Sequence, residues 1–123
     1  MGDIVYLDYD ADTLFAEYNN RGKVAEFESL IAAGAARSDQ LRADASNGQI
    51  DLSYGDGARD RFDLFLPDAP NPPLHVFIHG GYWQWNDKDD YAFLARPLLD
   101  AGIAFANLEY PLCPGVTLAE LVD

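Results

Sequence analysis

The sequence predicts an α/β fold in which helices and a β-hairpin precede a parallel β-α-β unit. Two observations predict it. Apolar residues first recur at helical spacing, up to about residue 48, and then alternate with polar residues in two short runs. After residue 73, two apolar strand-like runs flank a helical segment, the crossover that parallel strands require. We therefore divide the chain into a helical N-terminal extension, residues 1–48, and a partial α/β domain, residues 49–123.

The first 48 residues predict two helices. Asp12 is the expected N-cap of a short helix running towards Tyr18, because a capping carboxylate accepts free N–H groups of the first turn. A longer helix is predicted over residues 25–45, with Asn47-Gly48 as its stop signal. Its apolar positions fall on one face, namely Phe27, Leu30, Ile31, Gly34 and Leu41.

From residue 49 the pattern becomes that of a sheet. Ile50–Tyr54 and Phe62–Leu66 alternate apolar with polar residues, and the glycine-rich Gly55–Ala58 segment between them predicts a hairpin turn. Leu74–Ile78 is mostly apolar, so we expect a third strand that is buried on both faces. Ile103–Leu108 is a fourth strand with small, buried side chains.

Two helical segments accompany these strands. Asp87–Ala101 is predicted to be one helix that ends at Gly102 and is kinked at Pro97, because proline cannot donate to the preceding turn. Thr117 and Glu120 have the spacing of a capping box, which predicts the start of a last helix. The residues expected to face inward on the first of these helices are Phe93, Leu94 and Leu98.

Composition excludes several classes of function. The net charge of −13 argues against nucleic acid and anionic membranes as partners, since both are bound through clustered Lys and Arg. The single cysteine, Cys113, excludes an intrachain disulfide. The N-terminus has neither the basic start nor the apolar core of a secretory signal, and no apolar run approaches membrane-spanning length. We therefore expect a soluble cytoplasmic protein.

The most informative stretch is His79-Gly80-Gly81-Tyr82-Trp83, which follows the third predicted strand. Two glycines after a buried strand allow the backbone to turn sharply and approach a ligand closely. Adjacent backbone N–H groups can then point at one oxygen, which is the design of an oxyanion hole. The strand, the histidine, both glycines and the two aromatic residues together favour this interpretation over a simple strand-to-helix turn.

A second stretch, Glu109–Leu118, follows the fourth strand, and the two stretches together carry a resemblance to a known family. They resemble the start of the arylformamidase (kynurenine formamidase) group of serine α/β-hydrolases, within the esterase and lipase superfamily that carries a His-Gly-Gly-x-Trp loop. Tyr110–Pro114 has the Tyr-x-Leu-x-Pro pattern of those esterases, whereas Leu-Cys-Pro followed by Val-Thr-Leu is more similar to the formamidase branch. Tyr18–Arg21, ahead of a long helix, also resembles the N-terminal extension of that branch.

The resemblance implies the N-terminal part of an α/β-hydrolase fold and a role for each residue of the loop. Gly80, Gly81 and Tyr82 correspond to the residues that supply oxyanion-hole N–H groups, while His79 and Trp83 correspond to residues that brace the loop. The family cleaves amides or esters by serine attack, with a histidine base and an acid that orients it, and needs no cofactor. The implied reaction is hydrolysis of N-formylkynurenine to kynurenine and formate.

The chain departs from the family pattern in its nucleophile. A Gly-x-Ser-x-Gly elbow should follow the next strand, and none is present. The family's serine comes after the oxyanion loop, and neither His75 nor His79 can be carried over as the base. We therefore expect the catalytic triad beyond residue 123, and a chain that is truncated before the nucleophile strand and inactive by itself. Every serine precedes the loop, at Ser29, Ser38, Ser46 and Ser53.

Other chemistry has little support. His75 and His79 are four residues apart on an extended strand, about 13 Å, which is too far to share one zinc ion. Cys113 has no base partner in the pattern and is interpreted as a structural thiol. No metal site is expected. Three acids at a helix start are explained by the helix dipole: Asp87, Asp89 and Asp90.

Two other functions stay open. A general carboxylesterase for short acyl esters would share the loop, and a non-catalytic binding or interaction module could retain half of the fold. If the protein is an enzyme, the expected partner is a small-molecule amide or ester substrate, and the intact enzyme could form a homodimer.

Overall fold

The computed structural model describes residues 2–122, and the chain divides into two compact units that meet between Ile31 and Ala32. The first unit contains an antiparallel two-stranded ribbon, β1 and β2, followed by two short helices, α1 and α2. The sequence did not predict the ribbon. The bounds of these elements are β1 Ile4–Tyr6, β2 Tyr9–Asp10, α1 Ala11–Tyr18 and α2 Asn20–Lys23.

The N-cap of α1 is Asp10, so the prediction of Asp12 as the cap is wrong. The Asp10 side chain accepts a hydrogen bond from the Thr13 N–H at 2.9 Å, and Asp12 lies inside the first turn. A capping carboxylate must precede the helix, where it can reach the free N–H groups. Asp12 instead contributes only a favourable charge at the helix N-terminus.

The longest helix, α3, begins in the first unit and continues into the second, which contains the main sheet. Within residues 2–122 no helix is both long enough and apolar enough to cross a bilayer. A short 3₁₀ helix precedes α4. The bounds are α3 Phe27–Asp44, β3 Gly48–Ser53, β4 Arg61–Phe65, β5 Leu74–Ile78, the 3₁₀ helix Lys88–Leu94, α4 Ala95–Asp100, β6 Ala104–Leu108 and α5 Leu118–Val122.

The sheet confirms the predicted hairpin and the predicted parallel unit. Its strand order is β3-β4-β6-β5, in which β3 and β4 pair antiparallel and β5 and β6 pair parallel. The capping box is also confirmed, since the Glu120 carboxylate accepts from the Thr117 N–H at 2.9 Å. The carboxyl ends of β5 and β6 therefore lie side by side, and the loops that follow them are neighbours.

The prediction that β5 is buried on both faces is wrong. Leu74, Val76 and Ile78 are 56, 50 and 62% exposed, whereas Phe77 is partly buried against the core. Alternate residues of a strand point to opposite faces, so one whole face of β5 is open. β5 is also the edge of the sheet among the described residues, because its one partner there is β6. An apolar run shows that a strand can be buried, but neighbouring elements decide whether it is.

The core lies between the sheet and the helices of the second unit. Phe65 of β4 and Phe105 of β6 lie on neighbouring strands and are fully buried. Leu41 of α3 packs on them together with Ala92 and Ala95. The predicted apolar face of α3 is only partly correct. Its covered side begins at Gly34 and includes Ser38, and two of the residues assigned to it are exposed: Leu30 and Ile31.

The segment after the glycine loop (residues His79 to Trp83) is a 3₁₀ helix followed by α4, rather than one kinked helix. The change of helix type falls at Leu94–Ala95, and Pro97 is the third residue of α4. Pro97 therefore falls in the first turn of α4, where its missing N–H removes no intrahelical hydrogen bond. Ser38 holds the 3₁₀ helix to α3, since its hydroxyl donates to the Asp90 carbonyl and accepts from the Phe93 N–H.

A buried ion cluster joins α3, the hairpin and the 3₁₀ helix. The Lys88 ammonium contacts the carboxylates of Asp51, Asp63 and Asp89 at 2.7, 2.9 and 2.7 Å. The Arg42 guanidinium also contacts Asp89 and Asp63. Burial disfavours the charged amine, but hydrogen bonds to the three carboxylates outweigh it and raise the pKa of Lys88.

We expect Lys88→Met to destabilise the second unit by about 3–5 kcal/mol, because it leaves the fully buried Asp63 carboxylate without its closest cation. The matched control is Lys23→Met, since Lys23 pairs with Glu17 at an exposed position, where an ion pair contributes less than about 1 kcal/mol. Urea unfolding of both variants measures the difference. Equal stability of the two variants would contradict the importance of the cluster.

We also expect the isolated chain to aggregate through β5 and Val76→Lys to suppress this, because a charge on an open apolar edge blocks strand pairing. Val76 is 50% exposed, and Leu118→Lys is the control at a 51% exposed position in α5. Light scattering at matched concentrations gives the comparison. A soluble monomeric wild-type chain with a sharp, cooperative melt would refute the expectation.

Candidate active site

The loop that follows β5 has an unusual backbone over residues 81–86. Gly81 has a φ of 134°, and a Cβ added there would collide with the Trp85 carbonyl oxygen. Tyr82, Trp83 and Asn86 also have positive φ values, of 51°, 58° and 77°. Side-chain-bearing residues occupy this region only when surrounding contacts hold them there, and such strain is concentrated at functional sites.

Hydrogen bonds to two consecutive carbonyl groups hold the loop in this shape. The Gly80 carbonyl accepts from His79 Nδ1 and from Asn86 Nδ2, each at 2.9 Å. The next carbonyl, that of Gly81, accepts from two backbone N–H groups of the following turn at 3.0 Å. The second pair of donors is Gln84 and Trp85.

These carbonyl bonds determine where the loop's N–H groups point. In a trans peptide the N–H of the next residue points opposite to the carbonyl. The N–H groups of Gly81 and Tyr82 therefore point away from the bonds that hold the turn, and neither donates a hydrogen bond within residues 2–122. The loop presents two neighbouring unused donors, and the Gly80 Cα beside them has open space around it.

His79 lies beneath the loop in a closed aromatic pocket. Its ring is 2% exposed and is stacked between Tyr110, at a centroid distance of 4.3 Å, and Tyr91, at 6.1 Å. Its Nε2 is 2.8 Å from Oε1 of Glu109. Burial lowers the pKa of His79, but the hydrogen bonds to Glu109 and to the Gly80 carbonyl outweigh burial, and the net shift raises it.

Glu109 follows β6 directly and is 4% exposed. Besides His79, its carboxylate accepts from Arg59 Nη2 at 2.6 Å, from the Tyr110 N–H at 3.0 Å and from the Lys88 N–H at 3.1 Å. Burial raises the pKa of Glu109, but the hydrogen bonds from His79 and from the Tyr110 and Lys88 N–H groups prevail and lower it to about 2. The carboxylate is therefore charged, buried and surrounded by donors.

Arg59 ties this carboxylate to the loop. Its Nε donates to the Tyr110 carbonyl at 2.9 Å, and its Nη2 donates to the Asn86 carbonyl at 3.0 Å as well as to Glu109. Arg59 comes from the segment between β3 and β4, 50 residues before Glu109. A single guanidinium thus connects the hairpin to both loops of the site. The Tyr110 hydroxyl also donates to the His79 carbonyl at 2.8 Å, which links the loop after β6 to the start of the glycine loop.

The structure brings together the two stretches that the sequence singled out. The Cys113 N–H donates to the Trp83 carbonyl at 2.7 Å, so the loops after β5 and β6 touch. The side chains of Tyr82 and Trp83 are largely exposed. No sequence pattern predicted a role in the site for Arg59, Glu109 or Asn86. The one signal for Glu109 was its position directly after a strand of small buried residues.

The other chemistry-bearing side chains are used elsewhere. His75 stacks on Phe105 at 5.9 Å along the sheet, and Ser53 donates to the Gly55 carbonyl in the hairpin turn. Among residues 2–122 no group of three or more His, Cys, Asp or Glu side chains could hold a metal ion. A cavity of about 430 Å³ lies between α3 and α4, away from the glycine loop, and its lining is Arg37, Gln40, Leu41, Phe93, Arg96 and Pro97.

The chain is similar to kynurenine formamidases and to esterases. It is 37% identical over 67 residues to a kynurenine formamidase of Danio rerio and 41% identical over 73 residues to one of Drosophila melanogaster. It is also 34% identical over 73 residues to an isoprenylcysteine α-carbonyl methylesterase of Arabidopsis thaliana. These matches cover 53, 58 and 58% of the chain and 23, 24 and 17% of the relatives. The chain thus spans about a quarter of the formamidases' length, and no protein-family profile matches it.

Solved structures show the same fold. A candidate thioesterase from Silicibacter sp. TM1040 superimposes with a TM-score of 0.81 and 36% identity, over 86% of this chain and 41% of that one. One structure of Esterase B from Lactobacillus rhamnosis superimposes with a TM-score of 0.56 and 22% identity, over 93% of this chain and 37% of that one, which supports the fold alone. The chain is therefore built on the α/β-hydrolase fold, as the sequence predicted.

We expect the stability of the protein to fall at both ends of the pH range. The pKa of Glu109 falls from 4.5 to about 2 on folding, so its contribution is present above the higher value and is lost as pH falls through the lower. The pKa of His79 is raised above 6.5, so its contribution is present below that value and is lost as pH rises through the raised value. Urea unfolding across this range measures both limbs.

Glu109→Gln should flatten the acid limb, because the amide does not titrate there. Glu28→Gln, at an exposed position on α3, is the control and should leave the profile unchanged. An acid limb of unaltered slope in the Glu109→Gln variant would contradict the assignment.

Proposed function

We propose that the intact protein is a serine hydrolase of carboxylic amides or esters, and that the loop from His79 to Trp83 is its oxyanion hole. The observation that carries the proposal is the pair of unused N–H groups on Gly81 and Tyr82. The direction of each N–H is fixed by the carbonyl of the preceding residue, which accepts two hydrogen bonds. Such donors stabilise the negative charge that develops on an acyl oxygen, and they do so best when already fixed in place.

The proposed role of each residue follows from its contacts. Gly80, Gly81 and Tyr82 form the anion-binding backbone, and His79 braces it through the Gly80 carbonyl. Trp83 braces the other end, where its carbonyl accepts from the Cys113 N–H. The nucleophile, base and acid that the family pattern places after this loop are proposed to come from the rest of the intact protein. No cofactor takes part in this chemistry.

The proposed substrate is N-formylkynurenine, which would be hydrolysed to kynurenine and formate. The kynurenine formamidases among the relatives support this choice. A short-acyl carboxylesterase is the second candidate, and the methylesterase and the Esterase B structures support it. Both reactions pass through a tetrahedral oxyanion, so the loop described above serves either one.

The intact protein should hydrolyse N-formylkynurenine with a higher kcat/KM than p-nitrophenyl acetate. The absorbance of the two products, kynurenine and p-nitrophenolate, measures both rates in parallel. A preference for the acetate ester would favour the carboxylesterase. Binding of either compound without turnover would instead identify a non-catalytic binding module.

Gly81→Ala should lower kcat about 100- to 1,000-fold, the loss expected for one oxyanion donor. The added Cβ would meet the Trp85 carbonyl oxygen, so the turn has to open and move the Gly81 N–H. Gly80→Ala is the matched comparison, because a Cβ at that position meets nothing within 4 Å, and its loss should be smaller. Equal losses in the two variants, or no loss in Gly81→Ala, would contradict the assignment of the hole.

A further inference from the structure

The surroundings of His79 determine its protonation by geometry alone. Nδ1 faces the Gly80 carbonyl at 2.9 Å and Nε2 faces the Glu109 carboxylate at 2.8 Å, and both of these groups are acceptors. A neutral imidazole carries one proton, so one nitrogen lone pair would point at an oxygen lone pair. Only the imidazolium donates to both partners. His79 is 2% exposed, and the rings of Tyr91 and Tyr110 stack against it.

Of the charged groups near the imidazolium, Glu109 raises the pKa of His79 and Arg59 lowers it, and the net shift is upward. Glu109 neutralises it directly, and Arg59 lies on the far side of that carboxylate, with Asp87 at 3.4 Å from the Arg59 guanidinium. The 3₁₀ helix contributes the Tyr91 ring and, through Lys88, a backbone N–H to Glu109; the Lys88 ammonium is directed into the separate ion cluster. Two cations, His79 and Arg59, therefore alternate with two carboxylates in this series of side-chain contacts.

We propose that Arg59, Glu109 and His79, together with Asn86, form a positioning device that sets the oxyanion donor of the loop. This proposal rests on the function proposed above. The imidazolium and the Asn86 amide hold the Gly80 carbonyl from two sides, and the planar peptide then turns the Gly81 N–H in the opposite direction. None of the four side chains has to touch the substrate; they act through one peptide plane.

These restraints are needed because a loop with two consecutive glycines changes conformation easily. Gly80 and Gly81 leave the peptide between them free to rotate at little steric cost, and a half-turn would place a carbonyl where the oxyanion must bind. A neutral His79 would remove one of the two restraints, because its Nδ1 could then accept rather than donate. Glu109 is therefore needed to keep the proton on His79, Arg59 holds the Glu109 carboxylate in place, and Asn86 supplies the restraint that does not depend on charge.

The test uses the intact protein with 15N-labelled histidine, in which His79 is identified by the signals lost in His79→Gln. We expect both ring nitrogens of His79 to give imidazolium shifts at neutral pH, and Glu109→Gln to convert it to a neutral ring. A single protonated nitrogen on His79 in the wild-type protein at neutral pH overturns the proposal. This measurement does not depend on turnover.

The kinetic test uses Asn86→Asp, because Asp keeps the side-chain shape and tolerates the positive φ of 77° at this position. The variant replaces the amide donor by a carboxylate that repels the Gly80 carbonyl. We expect kcat to fall about 100-fold, as for a lost oxyanion donor, with KM changed by less than about threefold. Affinity for a boronic acid analogue of the tetrahedral intermediate should fall in parallel with kcat.

The matched control is Asn71→Asp, at an exposed asparagine that also has a positive φ, of 48°, and lies outside the site. It should leave kcat, KM and analogue affinity unchanged. A fall in thermal stability of Asn86→Asp and Glu109→Gln with kcat intact would show a purely structural role and overturn the proposal. If the wild-type protein hydrolyses neither substrate, the proposed function fails and the positioning role with it, while the histidine signals still decide the protonation state.

Discussion

The buried carboxylate of Glu109 is the interaction on which the rest of the site depends. It lies at the end of β6 and accepts from the side chains of His79 and Arg59 and from the backbone N–H groups of Lys88 and Tyr110. These donors come from four separate parts of the second unit. A buried charge is stable only when its lone pairs are all used, so the carboxylate forces these parts into one arrangement. The glycine loop is shaped by that requirement as much as by its own glycines.

Lys88 links this site to the second buried charge cluster of the protein. Its N–H donates to Glu109, its carbonyl accepts from the Asn107 amide, and its ammonium contacts three carboxylates beneath the hairpin. In a chain with 8 basic and 21 acidic residues, cations are scarce, and Arg42, Arg59 and Lys88 are all used internally.

Two features of the loop have one physical basis. The left-handed backbone at Tyr82 and Trp83 would relax in an isolated peptide, and it persists here because the carbonyls of Gly80, Gly81 and Trp83 are all held by donors. The same bonds leave the N–H groups of Gly81 and Tyr82 unused. Strain and unused donors are thus two results of the same set of restraints, and both suit the oxyanion-binding role proposed for this backbone.

The sequence by itself determined the four strands of the main sheet, the last helix and the loop motif. Period-two runs predicted the hairpin, Thr117 and Glu120 predicted the last helix, and His79–Trp83 predicted a sharp glycine turn after β5, because these signals depend on residues that are close along the chain. Only the tertiary structure decided that Leu74, Val76 and Ile78 are exposed, and that Arg59 reaches Glu109 across 50 residues. Periodicity predicts on which face of a helix or strand a side chain lies. Burial, strand neighbours and the protonation of His79 depend instead on groups that the chain brings together only when it folds.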